Sequence, residues 1–133
     1  IIAFGCSLGA THAANLYLRR PDLFTGCLAI SGIYTGNYGF DGYWDEVVYQ
    51  NSPVDYMQNM PHDHYYVGMY NSQRAVICVG QGAWEQPETT FRLKNIFAEK
   101  GINIWVDFWG YDVNHDWPWW HKMVPTYLPW LLG

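Results

Sequence analysis

The sequence predicts an α/β fold, in which a mostly parallel sheet is flanked by helices. Short apolar runs that end at or near glycine recur along the chain, as is typical of strands buried on both faces of a parallel sheet. Segments with helical spacing separate most of these runs, which is the alternation that a parallel sheet requires. Single domains commonly run to ~100–200 residues, so we expect residues 1–133 to be one domain or part of one.

The first elements are a strand, a helix and a second strand. The run Ile1 to Phe4 is apolar throughout and ends at a glycine, so we expect a fully buried strand. Helical spacing follows from Leu8 to Arg20, and Pro21 ends it. The segment "GCLAIS", Gly26 to Ser31, is predicted to be the second buried strand.

The later elements repeat this alternation. "RAVICVG", Arg74 to Gly80, is predicted to be the third strand, and residues 87–101 a helix that begins at a proline and stops at a glycine. Residues 102–109 alternate as an outer strand does. Asp116 is expected to cap a last helix, which Pro125 should kink or interrupt.

Residues 32–73 separate the second and third strands, and they are far more than an ordinary connection needs. The segment is rich in Tyr, Gly and Asn. Long segments of this kind usually cover or line a cleft. We therefore predict a lid-like insertion over residues 32–73.

The composition argues against several classes of protein. Aromatic residues make up 19% of the chain and charged residues 14%, which is unlike a disordered segment. The net charge of −5 argues against a nucleic-acid partner, and no apolar run reaches the ~20 residues of a membrane span. Cys6, Cys27 and Cys78 are interpreted as buried thiols that form no disulfide. Free thiols are typical of a reducing compartment, which favours a cytoplasmic location.

The segment "GCSLG" predicts a nucleophilic serine. It lies between a predicted strand and a predicted helix, the setting in which a Gly-x-Ser-x-Gly turn presents its serine above the sheet. Ser7 would stand at the turn, and the backbone N–H of Leu8 would be one of two oxyanion donors. A thiol nucleophile at Cys6 is the rival interpretation, but the glycines place Ser7 at the apex.

A base is expected after the last strand, where "FWGYDVNHDWPWW" places His115. His121 falls within the last predicted helix, and His12 one turn beyond Ser7 could line a pocket. His62 and His64 have the spacing of two metal ligands. Because no further ligand set is evident, we predict no metal and no cofactor.

An acid is expected in the loop after the third strand, to orient the base. Glu85 comes first in "VGQGAWEQPE", and it has no other evident role. Glu88 is explained by the first turn of a helix, Asp116 by a helix cap and Asp112 by a turn. These three carboxylates remain alternatives to Glu85. The order Ser7, Glu85, His115 is that of α/β-hydrolases.

Several segments carry a resemblance to a known family, namely "GCSLGATHAANLYLRRPDLF", "LAISG", "GQGAWE", "EKGINIWVDFWG" and "NHDWPWW". They resemble the C-terminal half of the α/β-hydrolase fold in the esterase family that includes S-formylglutathione hydrolase, feruloyl and acetylxylan esterases and mycolyltransferases. The resemblance implies that Ser7 is the nucleophile and His115 the base. Glu85 stands where many relatives have Asp.

The resemblance implies a serine esterase that hydrolyses small carboxylic esters through an acyl-enzyme intermediate. An acyltransferase with the same three residues is an alternative, as is a non-catalytic binding or structural module of the same fold. Substrate is expected to contact His12 and an aromatic wall. The aromatic candidates are Tyr34, Tyr38, Tyr43, Trp44 and Trp84.

A complete member of this family has several strands before the serine turn. We therefore expect the N-terminal strands of the domain to be absent from this chain. The strand over residues 1–4 would then be covered by the missing part of the same domain or by another protomer. The second oxyanion donor is expected from that part, and the chain alone is expected to be inactive.

Overall fold

The computed structural model describes residues 1–36 and 43–133. In these residues, four parallel strands form one sheet in the order β1-β2-β3-β4. The strands are β1 (Ile2–Cys6), β2 (Gly26–Ile30), β3 (Arg74–Val79) and β4 (Trp105–Phe108). The helices are α1 (Leu8–Arg19), α2 (Glu46–Gln50), α3 (Pro53–Asn59), α4 (Tyr65–Ser72), α5 (Glu88–Lys100) and α6 (Trp117–Leu132). The predicted α/β class with a parallel sheet is confirmed.

The strand register brings the carboxyl ends of the strands to one edge of the sheet. Cys6 pairs with Ile30, and Ile30 pairs with Cys78. The residues that directly follow the strands therefore lie side by side. Ser7, after β1, and Ser31, after β2, are neighbours at this edge. In open α/β sheets this is the edge where ligands bind.

Helices cover both faces of the sheet. In β2, Cys27 and Ala29 face one core, while Leu28 and Ile30 face another, as the two-residue period of a strand requires. The first core is shared with α1, α3, α4 and α5, and the second with α6. The small residues Ala10 and Ala14 on α1 are fully buried, which lets this helix pack closely on the sheet.

Strand β1 differs from its prediction as a fully buried strand. Phe4 is 55% exposed and Ile1 is 80% exposed. The reason is that β1 lies at one edge of the sheet and pairs with β2 alone among the described strands. The apolar run predicted the strand correctly, but burial depends on neighbours that local sequence does not reveal.

Helix α6 runs unbroken through Pro125 and Pro129, so of the kink or interruption predicted at Pro125 the interruption does not occur. A proline inside a helix costs about 3 kcal/mol, because it removes a hydrogen bond and crowds the preceding turn. Trp120, Met123 and Tyr127 are buried against the sheet on the same helix. Their packing offsets that cost.

The insertion over residues 32–73 belongs partly to the core. Its described part holds α2, α3 and α4, and it buries Val54, Met57 and Tyr70 completely or almost so. Helix α2 instead lines a cavity, as described below. Among the described residues, no helix combines the length and apolar character that crossing a bilayer requires.

Candidate active site

Ser7 occupies a strained turn between β1 and α1. Its backbone has φ 57° and ψ −124°, a region that residues other than glycine rarely adopt. The Ser7 N–H donates to the carbonyl of Ile30 at 2.9 Å, and its own carbonyl accepts from the N–H of Ala10 at 3.0 Å. The neighbouring strand and the first helical turn thus hold the conformation that presents the hydroxyl at the sheet edge.

The two glycines of this turn have different roles. A Cβ atom on Gly5 would lie 2.2 Å from the carbonyl oxygen of Gly9, so only glycine fits at position 5. A Cβ atom on Gly9 would meet nothing within 4 Å. The motif treats the two glycines as equivalent, whereas the packing of α1 against β1 requires only the first.

The loops that follow β3 and β4 are joined by backbone and side-chain hydrogen bonds. The His115 N–H donates to the carbonyl of Ala83 at 2.9 Å, and the Ala83 N–H donates to Asn114 Oδ1 at 2.8 Å. These bonds fix the two loops to each other. They carry Glu85 and His115 to the same place above the sheet.

Ser7, His115 and Glu85 form a hydrogen-bonded series. Ser7 Oγ lies 2.9 Å from His115 Nε2, and His115 Nδ1 lies 2.6 Å from Glu85 Oε1. The Glu85 side chain is fully buried, whereas that of His115 is 26% exposed. A serine hydroxyl bonded to an imidazole that a carboxylate orients is the arrangement that makes a hydroxyl nucleophilic.

The other candidate acids lie elsewhere. Asp116 caps α6 by accepting from the Trp117 N–H at 2.7 Å, and Glu88 is in the first turn of α5, as the sequence predicted for each. Asp112 lies beside Gly110 in the turn after β4. Of the four carboxylates considered, Glu85 is the one that contacts His115.

Leu8 is the first residue of α1, and its backbone N–H donates no hydrogen bond to any residue that the structure describes, which leaves it available to a ligand in that part of the chain. Ser7, the residue before the helix, makes no side-chain cap bond. The first N–H groups of a helix carry partial positive charge, so this position favours a developing negative charge.

A cavity of about 650 Å³ opens beside Ser7 and His115. Its apolar wall consists of Leu8, Ile33, Val47, Val48 and Trp84, and its polar wall of Thr11, His12, Asn15, Ser31, Thr35, Asn51 and Gln86. Asn15 and Asn51 already bond to each other at 2.8 Å. No Asp, Glu, Lys or Arg lines the cavity within the part of the chain that the structure describes.

Two of the predicted substrate-contacting residues reach this cavity. His12 lines it from α1, and Trp84 lines it from the loop after β3. Trp84 is 87% exposed and has φ 65°, a strained backbone for a bulky residue. Such strain in an exposed residue at a cleft is more typical of a binding role than of packing.

The other predicted aromatic residues do not reach it. Tyr34 is fully buried, because its N–H donates to Thr89 Oγ1 and its carbonyl accepts from Val54 N, which hold it between α5 and α3. Trp44 packs edge-on against Tyr49, and Tyr43 bonds to Asp45. Neither Tyr34 nor Trp44 is among the described residues that line the cavity, in contrast to the prediction of an aromatic wall there. Tyr38 lies outside the described residues.

The three cysteines are protonated thiols at neutral pH. Burial raises the pKa of Cys6 and raises that of Cys27 to about 12. Burial also raises the pKa of Cys78 well above its usual range. A thiol is a nucleophile only as its thiolate. These environments therefore do not favour Cys6 as a nucleophile.

The remaining histidines have other neighbours. His64 Nδ1 accepts from the Tyr66 N–H at the start of α4, and exposed His62 lies 3.9 Å from Glu99. His121 packs beside Trp117 on α6. Among the described residues, no three His, Cys, Asp or Glu side chains are grouped to hold a metal ion.

Sequence reasoning missed two residues that contact the series. Ser31 bonds to Glu85, and Trp120 contacts both Ser31 and the His115 ring. Ser31 had a signal, since it directly follows the buried run "GCLAI" at the edge where functional side chains gather. Trp120 had none, because one tryptophan in a helix usually means packing.

Comparison with known proteins supports the fold through structure rather than sequence. No family model matches the sequence, and no curated protein sequence matches it. A ferulic acid esterase has a TM-score of 0.76 at 20% identity, covering 96% of this chain and 49% of that chain. The S-formylglutathione hydrolase of Agrobacterium tumefaciens has a TM-score of 0.71 at 16% identity. The match covers 98% of this chain and 48% of that chain. Dipeptidyl peptidase 4 of Porphyromonas gingivalis has a TM-score of 0.73 at 12% identity. The match covers 99% of this chain and 19% of that chain.

These structures show that the chain has the α/β-hydrolase fold, which confirms the predicted resemblance at the level of fold. The chain spans about half the length of the ferulic acid esterase and of the S-formylglutathione hydrolase. Activities within this fold include both esterases and peptidases, so the fold does not choose between them.

Proposed function

We propose that this chain carries the nucleophile, base and acid of a serine esterase that hydrolyses uncharged carboxylic esters. The observation behind the proposal is the hydrogen-bonded series Ser7–His115–Glu85 beside a cavity of about 650 Å³. The Leu8 N–H adds a donor for the oxyanion at the same place. The chemistry needs no metal or cofactor.

In the first half-reaction, Ser7 Oγ attacks the ester carbonyl carbon as its proton passes to His115 Nε2. Glu85 holds the ring through Nδ1 and stabilises the imidazolium, while Leu8 N–H donates to the oxyanion. The tetrahedral intermediate then collapses. The C–O bond to the alcohol breaks, His115 returns the proton to the departing oxygen, and an acyl group remains on Ser7.

In the second half-reaction, water attacks the acyl carbon and gives a proton to His115. Collapse of the second tetrahedral intermediate breaks the bond to Ser7 Oγ, which takes the proton back as the acid leaves. Leu8 supplies one oxyanion donor. We propose that the second comes from a segment that covers β1, either of the same protein or of another protomer.

The cavity favours an uncharged substrate. A charged group that leaves water needs a paired partner inside the protein, and the described lining offers no charged side chain for one. The apolar wall formed by Leu8, Ile33 and Val48 suits an alkyl or aryl group instead. We therefore expect short neutral alkyl and aryl esters to react in preference to anionic esters.

The test is hydrolysis of nitrophenyl esters by the purified protein with the segment that covers β1 present, using neutral and carboxylate-bearing acyl groups of equal length. Ser7→Ala is expected to lower turnover by about six orders of magnitude. Cys6→Ala is the matched control, because it alters the adjacent residue and should keep turnover. A fluorophosphonate probe should label Ser7 in the wild type and in Cys6→Ala.

Two outcomes would contradict the proposal. One is equal turnover by Ser7→Ala and wild type, and the other is an unlabelled Ser7 in a wild type that hydrolyses none of the esters. Added alcohols separate hydrolysis from acyl transfer, because a transferase would form new esters in place of the free acid. Preference for the carboxylate-bearing esters would reject only the neutral-substrate part.

A further inference from the structure

Ser31 lies at the carboxyl end of β2, and the mechanism above does not use it. We propose that Ser31 and Trp120 act together as positioning residues, holding the Glu85 carboxylate as a hydrogen-bond acceptor for His115. This inference rests on the proposed function, because it concerns the residue that orients the base. Ser31 also lines the cavity, but its hydroxyl is engaged by Glu85 and Trp120, so neither side chain is required to bind substrate.

The backbone of Ser31 is held in a strained conformation. Its φ is 60°, in the left-handed region that favours glycine, and the residue is 5% exposed. The Ser31 N–H donates to the carbonyl of Cys78 at 2.9 Å, which ties the turn to β3. Strain of this kind persists where surrounding structure enforces it, and it concentrates at functional sites.

The direction of each hydrogen bond follows from the chemistry of its donor. The indole N–H of Trp120 can only donate, and it lies 3.1 Å from Ser31 Oγ. Ser31 accepts that bond, so its single proton is directed to Glu85 Oε2 at 2.8 Å. The Gly80 N–H donates to the same oxygen at 2.6 Å.

Glu85 is therefore surrounded by donors. Oε2 accepts from Ser31 and Gly80, and Oε1 faces His115 Nδ1. An ionised carboxylate has no hydrogen to donate. In the bond between Glu85 and His115, the hydrogen must therefore be on Nδ1. Nε2 of the neutral ring is then left to accept the Ser7 proton, which is the tautomer that the proposed mechanism needs.

Trp120 also contacts the base. Its ring lies edge-on to the His115 ring, with centroids 5.0 Å apart and an interplanar angle of 88°. Trp120 is 6% exposed on α6, so its position is fixed by packing. One buried side chain thus contacts the imidazole directly and reaches the carboxylate through Ser31.

Two variants test the pair while limiting damage to the fold. Ser31→Gly removes the hydroxyl and accepts φ 60° without strain. Trp120→Phe keeps an aromatic ring but removes the N–H that directs the Ser31 hydroxyl. Ser72→Ala is the control, because the exposed Ser72 hydroxyl bonds, within the described residues, to the Met69 carbonyl alone. Thermal unfolding establishes that each variant is folded.

The expected kinetic result is a loss in kcat without a rise in KM, because neither residue is proposed to bind substrate. Ser31→Gly should lower kcat roughly 10- to 100-fold, the range for a hydrogen bond to a charged group. Trp120→Phe should lower kcat less, and the double variant should resemble Ser31→Gly, because both changes act through one bond. Ser72→Ala should match the wild type.

A second readout does not depend on turnover. The Nδ1 proton of His115, in a short bond to Glu85, is expected to give a far-downfield proton NMR resonance. Ser31→Gly and Trp120→Phe should each shift or broaden it, and Ser72→Ala should not. If the wild type hydrolyses no ester, the proposed function fails, while this resonance still tests the positioning. Unchanged kcat or an unchanged resonance in a folded Ser31→Gly or Trp120→Phe would overturn the inference.

Discussion

Replacing Gly5 with alanine would place a methyl group against the backbone of α1. The new Cβ atom would lie 2.2 Å from the carbonyl oxygen of Gly9, 2.3 Å from its carbonyl carbon and 2.9 Å from the Ala10 nitrogen. Ordinary contacts lie near 3.5 Å, so β1 and α1 must separate by about 1 Å. The obstacle is helix backbone, which cannot rotate away as a side chain can.

Separating β1 from α1 should lower both the stability of the protein and its turnover. Overpacking costs about 1–3 kcal/mol where side chains can adjust, and we expect at least the upper end here. Ser7 lies between Gly5 and Gly9, so the same displacement changes its distance of 2.9 Å to His115. A misplacement of about 1 Å lowers turnover roughly 100-fold.

Gly9→Ala provides the matched comparison at the other glycine of the motif. Its Cβ atom would meet nothing within 4 Å, and the residue lies exposed in α1. Alanine is favoured over glycine inside a helix, so the free energy of unfolding should rise by about 0.5–1 kcal/mol. The Ser7–His115 contact should be unchanged.

Urea unfolding and ester hydrolysis measure the two effects on the same preparations. Gly5→Ala should be less stable than wild type by about 3 kcal/mol or more and should lose at least about 100-fold in turnover. Gly9→Ala should retain turnover and be slightly more stable. Equal effects of the two substitutions would refute the reasoning, because the packing of α1 on β1 is what distinguishes them.

Three further predictions concern the neighbouring residues. Glu85→Gln presents an amide NH₂ to a site where every neighbour donates a hydrogen bond. Turnover in the ester assay should therefore fall by about 10⁴-fold. A loss below tenfold would contradict the role assigned to Glu85. Trp84→Gly relieves the strain of a left-handed backbone conformation. The free energy of unfolding, measured with urea, should therefore rise by about 1 kcal/mol, while KM for the ester also rises. An unchanged KM would show that Trp84 does not bind substrate. Because burial raises the pKa of Cys6 and raises that of Cys27 to about 12, both thiols are protonated at pH 8. Iodoacetamide at pH 8 should leave turnover unchanged, with alkylation becoming faster as the pH rises; rapid inactivation at pH 8 would contradict this.

The serine turn and the order of the elements were predictable because their signals are local. The apolar runs before Ser7 and at β2 and β3 correspond to strands, and glycine or proline marks where helices stop. Each prediction of a strand needed only a few adjacent residues. Exposure of Phe4 was missed because it depends on what lies beside the edge of β1.

In the sequence, Glu85 differs from Glu88, Asp112 and Asp116 because each of those three has a local explanation. The structure places Glu85 against His115, but that contact spans 30 residues of chain. The aromatic wall was less predictable. Trp84 reaches the cavity and Tyr34 does not, because the direction of a side chain in a loop is set by the elements that pack around it.

The sequence by itself determined the α/β class and the glycine-framed serine, because each depends on residues that are close along the chain, and it placed Glu85 and His115 in loops that follow predicted strands. Only the tertiary structure decided which polar groups meet at the carboxylate. Ser31 is separated by 54 residues from Glu85 and by 89 from Trp120. These contacts exist because the parallel register brings strand ends together and α6 packs across them, and no local pattern encodes such a meeting.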